Sequence, residues 1–213
     1  MTKALRLTGI AFAVVLSSFS VAAKKPKPAA VAADYFPLRV GDSWTYRNSS
    51  GDGQYSLKVL NEEKQADGSS RYEMELLAGV QVHKFFSKPG GWVLLHIERY
   101  TEHEGLEAKY EPPKQYLQNP LVPGFKWDWK GQDPAHNEVT ESSQVIGFEK
   151  VSVPAGKFRA MKVVSKVTGG AAVMTKTYWY ADGVGLVKTT TEAGEIKYGS
   201  ELIDYSFKKS ARK

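Results

Sequence analysis

The chain has 213 residues, 42% of them hydrophobic and 12% aromatic, no cysteine and a formal net charge of +6. That apolar content excludes wholesale disorder, and the missing thiols exclude disulfides, Cys-based zinc sites, thiol catalysis and a lipid-attachment cysteine. The positive charge excludes little until it is located: nine of the 29 Lys and Arg residues lie in segments 3–27 and 208–213, leaving 20 against 23 acids between them, with no basic-aromatic stripe of a nucleic-acid surface.

Lys3 and Arg6 precede an apolar run ending at Leu16, and Val21-Ala22-Ala23 supplies small residues at a cleavage point. This pattern predicts a secretory signal peptide over 1–23, too short in its apolar part for a permanent span, and a periplasmic or secreted mature chain. Residues 24–33 (KKPKPAAVAA) read as a flexible basic lead, 34–207 as a single β-domain and 208–213 as a basic tail. No later stretch approaches the roughly 18 apolar residues of a membrane helix.

From Asp34 onward the signal is period-two alternation broken by turn residues. Strands are expected over 43–48, 54–60 and 71–77, separated by Ser-Ser-Gly-Asp-Gly and Asp67-Gly68. Two more, 80–87 and 92–101, flank Pro89-Gly90-Gly91, a hairpin signal. A strand at 106–110 leads into 111–124, where Pro112, Pro113, Pro120 and Pro123 argue for a long loop. Phe125, Trp127 and Trp129 alternate on the next strand, and 138–148, 158–168, 173–180, 186–191 and 195–207 complete the series. The expectation is an all-β antiparallel meander of about eleven strands forming a barrel or curved half-barrel, with a two-sheet sandwich as the alternative.

Four sequence pieces carry a family likeness: Tyr35-Phe36-Pro37-Leu38 with Gly41 and Trp44-Thr45-Tyr46; Val153-Pro154-Ala155-Gly156 with Phe158; Trp179-Tyr180-Ala181; and Gly183-Val184-Gly185-Leu186-Val187-Lys188. Together they resemble a broad set of uncharacterised bacterial secreted and lipoprotein β-domains, including the TapB-like proteins found near pilus genes. The resemblance implies an exported β-domain and brings no catalytic residues with it. Some members carry a lipobox cysteine, which this chain lacks. The same pieces read physically as turns, since Pro154 removes a donor and the glycines permit φ > 0.

Candidate chemistry is sparse. His83 and His96 flank the 89–91 turn; a Pro89-Gly90 loop would pair them as metal ligands, whereas a three-residue loop would put them on opposite faces. His103, between Glu102 and Glu104, is a third candidate ligand. Glu62-Glu63, Glu73/Glu75 and Glu102/Glu104 are paired acids, which serve glycoside hydrolysis only if one lies in an apolar cleft that raises its pKa. No G-x-S-x-G element or phosphate-binding glycine loop is present.

The remaining candidates are Tyr116, Trp127 and Trp129, around the longest irregular segment, as a ligand-binding surface. The two tryptophans share a face, so they either line that surface or cover the core. The sequence thus reads as a non-catalytic periplasmic or secreted domain without a cofactor, binding an apolar or amphipathic ligand or a cell-envelope protein partner. The competing classes are a carboxylate-dependent carbohydrate-active hydrolase and a purely structural protein of a surface appendage.

Overall fold

The computed structural model describes residues 32–49, 51, 53–102, 106–132, 136–170 and 172–207. The expected signal peptide, most of the basic lead, the basic tail and His103 lie outside the described residues.

Alternating apolar residues and Gly/Pro turns produce twelve strands: β1 (Ser43–Asn48), β2 (Gln54–Lys64), β3 (Ser70–Leu77), β4 (Gln81–Ser87), β5 (Trp92–Tyr100), β6 (Glu107–Gln118), β7 (Lys126–Gln132), β8 (Glu138–Val153), β9 (Gly156–Gly169), β10 (Ala172–Ala181), β11 (Gly185–Ala193) and β12 (Ile196–Ser206). All pairings are antiparallel, in one sheet of order β6-β5-β4-β3-β2-β1-β12-β11-β10-β9-β8-β7. The fold is an all-β barrel-shaped sheet rather than a sandwich. First and last strands pair in the middle, Trp44 opposite Tyr205, so the two edges are β6 and β7, which are consecutive in sequence.

β6 corrects the loop expected over 111–124. The strand runs through Pro112 and Pro113. Proline cannot donate to a ladder, which confines it to edges and irregularities; β6 is an edge, and residues 110–113 fall where its register with β5 breaks, so both prolines lack a partner there. The 89–91 turn is corrected too. Gly90 and Gly91 both take left-handed φ, 54° and 82°, and Trp92 N donates to Pro89 O at 2.9 Å. The loop is therefore Gly90-Gly91, the left-handed pair that suits a two-residue hairpin.

Inward residues follow the alternation. Val59, Val93, Leu117, Val145, Val163, Val187 and Leu202 are inaccessible or nearly so. Trp44, Tyr46 and Tyr180 join them, with polar tips satisfied by the chain: Trp44 Nε1 donates to Val184 O (2.7 Å) and Tyr46 OH to Leu186 O (2.9 Å).

One end of the barrel, here the near end, receives the segment before β1. Tyr35 and Leu38 are buried, and the Phe36 ring packs against Phe86 (5.2 Å) and Tyr116 (5.4 Å). Asp34 ties this plug down on several sides. Its carboxylate accepts from Lys88 Nζ (2.9 Å), at the end of β4, and Asn119 Nδ2 (2.7 Å), after β6. Its N–H donates to Asp182 Oδ1 (2.8 Å), and its carbonyl accepts from Gly183 N (2.8 Å), both in the β10–β11 turn. Gly185 lets the plug approach: its φ is 93°, and a Cβ there would lie 3.4 Å from Pro37 Cδ. The Tyr-Phe-Pro-Leu and Gly-Val-Gly pieces are thus two halves of one closure.

Candidate functional site

Between the plug and the far end lies a cavity of about 350 Å³, within the size range of small-molecule sites. Phe36, Trp44, Tyr46, Phe86 and Tyr178 supply aromatic wall, and Leu57, Met74, Leu76 and Leu186 aliphatic wall. Its boundary is mostly apolar; among the described residues Lys84 is the one charged side chain on it.

A short ionic belt adjoins it. Lys84 Nζ contacts Glu98 Oε1 at 2.6 Å, and Tyr110 OH donates to Glu98 Oε2 at 2.9 Å. Burial pushes the Glu98 carboxyl up, but Lys84, Tyr110 and the more distant Lys114 together outweigh it and hold the group below its ordinary range. Lys114 Nζ lies 2.7 Å from Glu141 Oε2, off the hydrogen-bond direction, so that buried oxygen lacks an aligned donor. Lys176 is the third lysine of the belt. It pairs across strands with Ser165 and Thr191, both buried, and shares the inward face of β10 with Tyr178 and Tyr180. Burial lowers its pKa, Lys114 and Lys84 push in the same direction, and Glu141 and Glu98 offset part of the effect. Among the described residues Lys176 has no hydrogen bond and no ion pair.

Of the residues singled out as a binding surface, Tyr116 lines the cavity, and burial raises its phenol well above the usual value. Trp127 and Trp129 are turned inward with 7% and 6% exposure. Their indoles span the gap between the edge strands, where no ladder joins β6 to β7 among the described residues. Trp127 Nε1 donates to Gln115 O (3.1 Å) and Trp129 Nε1 to Pro112 O (3.3 Å). Gly131 makes room: a Cβ there would overlap the Trp129 ring.

The histidines are held apart by register. His83 pairs with Arg99, and the shift between Phe85 and Phe86 leaves His96 in a bulge of β5. His83 Nδ1 contacts Glu73 Oε1 at 2.7 Å, and His96 Nε2 contacts Ser87 Oγ at 2.7 Å. Burial lowers the His96 pKa, as does the nearby Arg71. Among the described residues no cluster of three or more His, Cys, Asp or Glu is arranged to hold a metal. The acid pairs are equally dispersed: Glu73 goes to His83, Glu75 to Gln81 and Glu62 to Lys64 and Ser70. Sequence reasoning missed Lys176, which looks like any strand lysine until its cross-strand partners are known.

These features define a single-sheet β-barrel with a plugged near end and an apolar interior cavity. A family model described as DUF3108-like matches residues 130–198, from the end of β7 to the start of β12. Solved structures that align with this chain include a candidate lipoprotein from Parabacteroides distasonis (17% identity, covering 82% of this chain and 99% of that one, TM-score 0.47). A candidate exported protein with a YmcC-like fold from Bacteroides fragilis also aligns (14%, 82% and 100%, 0.46). So does the hypothetical lipoprotein YmcC from Escherichia coli (12%, 77% and 84%, 0.41). No curated protein matches the chain.

Proposed function

We propose that this protein is a non-catalytic periplasmic or secreted binding domain that holds an apolar or amphipathic small molecule inside its barrel. The observation that carries the reading is the cavity beneath Phe36, whose aromatic and aliphatic walls leave about 350 Å³ unfilled. A barrel serving only as a structural brick gains dispersion energy by filling such space. Export is supported by the signal-like segment 1–23. The hydrolase alternative needs an acid with a raised pKa, whereas Glu98, inside the barrel, is held low.

The test is titration with the neutral apolar fluorophore N-phenyl-1-naphthylamine. Saturable enhancement is expected, together with its loss in Leu76→Trp, which fills the cavity from β3. Circular dichroism of the variant confirms that the sheet is intact. Absence of saturable binding to the native protein, or unchanged binding by a folded Leu76→Trp, overturns the reading.

A further inference from the structure

Strand register sets one polar row across the barrel interior. Ser143 opposes Ser165, Ser165 opposes Lys176, Lys176 opposes Thr191 and Thr191 opposes Tyr198. Directly opposed residues point to the same face, so all five project inward. The next inward row toward the plug contains Tyr178 and Thr189, which line the apolar cavity. Beyond the polar row, Ile196 opposes Ala193. Ile196 is 66% and Tyr198 46% exposed despite their inward register, so the far end is open beside β12.

Charge within this interior does not balance. Glu98 is matched by Lys84 and Glu141 by Lys114; Lys176 forms no ion pair and no hydrogen bond among the described residues, and Glu141 and Glu98 act on it only through longer-range attraction. A half-buried ammonium without a partner is costly, and its lowered pKa reflects that cost. The hydroxyl of Thr191, beside it, also lacks a hydrogen bond among the described residues.

We propose that Lys176 and the adjacent Thr191 hydroxyl hold the carboxylate of a fatty-acid-class ligand, whose alkyl chain enters the cavity toward Phe36; the Ser165 hydroxyl beside them is already engaged by Ser143 Oγ (2.7 Å). This deepens the binding reading above and rests on it: the apolar cavity takes the chain, and one unmatched cation takes one negative charge. The order of the rows sets the orientation, with the head at the open far end and the tail against the plug. Glu98 and Glu141 are each ion-paired, with Lys84 and Lys114, which weakens their repulsion of the head.

The experiment is displacement of N-phenyl-1-naphthylamine by dodecanoate and by dodecanol at pH 7.5, using the native protein, Lys176→Met and Lys166→Met. Lys166 is exposed on the neighbouring strand β9, so its substitution removes the same net charge from outside the barrel. The native protein is expected to bind dodecanoate at least about tenfold more tightly than dodecanol, roughly 1.4 kcal/mol. Lys176→Met should erase that preference while keeping fluorophore and dodecanol binding, and Lys166→Met should retain it.

Equal affinity of the native protein for the acid and the alcohol overturns the inference while leaving the binding reading intact. Equal loss in both variants also overturns it, since the attraction would then be diffuse. If the fluorophore itself does not bind, the underlying reading fails. Fluorophore binding by Lys176→Met confirms that the variant is folded; should it fail to fold, Thr191→Val, which keeps the shape and removes the hydroxyl, is expected to reduce the preference, and an unchanged preference there overturns the inference.

Discussion

The indole nitrogen of Trp127, on one edge of the sheet, donates to the main-chain carbonyl of Gln115 on the other edge, 3.1 Å away. Trp129 repeats the contact one step along, at Pro112. Pro112 and Pro113 have no N–H to offer a facing strand, so a regular ladder between β6 and β7 is impaired from the β6 side. Side-chain donors take its place. The edges are covered without becoming a template for another chain.

Truncating either tryptophan therefore acts on both core and seam. Trp127→Ala and Trp129→Ala are each expected to cost about 3–5 kcal/mol through cavity formation. Trp127→Phe, which retains most of the ring area but not the N–H, should cost about 1 kcal/mol. Urea denaturation followed by circular dichroism reads both. A loss below about 1 kcal/mol for the alanine variants would show that the seam does not depend on these rings.

Gly131 should be sensitive for a steric reason and not for its backbone angles. A Cβ there overlaps the Trp129 indole, and overpacking of this kind costs about 1–3 kcal/mol. Gly131→Ala is expected to destabilise by that amount in the native background and by much less beside Trp129→Leu. A double-mutant cycle measures the coupling; simple additivity would contradict the clash.

The plug should weaken in acid. Burial raises the Asp34 carboxyl, but Lys88, Asn119 and the Phe36 N–H outweigh it and leave its pKa below the ordinary value. A folded-state pKa lowered in this way contributes stability above the unfolded pKa, near 4, and loses it as pH falls through the folded value. Asp34→Asn should therefore lower stability at pH 7 by roughly 1–2 kcal/mol, discounted for the carboxylate's partial exposure. Melting curves from pH 7 to pH 3 should show the native and variant proteins converging below about pH 4. A constant difference would assign the effect to shape and not to charge.

The histidines give a fourth test. His83 is engaged by Glu73 and His96 by Ser87, so zinc is expected to leave the melting temperature unchanged. A zinc-dependent rise abolished by both His83→Ala and His96→Ala would show that the two can converge on a metal.

Much of this molecule was written locally. Alternation in segments such as Trp44-Thr45-Tyr46, with Gly and Pro between them, determines strands and turns because side-chain direction in a strand has a period of two. Signals of that range predict an antiparallel meander, and the structure has one. They misjudged 111–124, since proline's exclusion from a strand depends on whether both sides of that strand are paired. Only the sheet order makes β6 an edge. They could not choose the hairpin register either: His83 and His96 meet or miss according to which residues form the loop and whether a bulge follows.

The site depended still more on tertiary structure. Trp127 and Trp129 were visible as a same-face pair, but whether that face met solvent, ligand or the opposite edge depended on where β6 came to lie. Lys176 was not distinguishable from the chain's other lysines. Its significance comes from Ser165 and Thr191 on two neighbouring strands and from carboxylates on β5 and β8 already matched elsewhere. By itself the sequence determined the elements, because alternation and turn chemistry act over a few residues. Closure of the sheet decided which side chains share the interior and how the described charges there are matched, because burial and charge balance are properties of residues brought together from the whole chain.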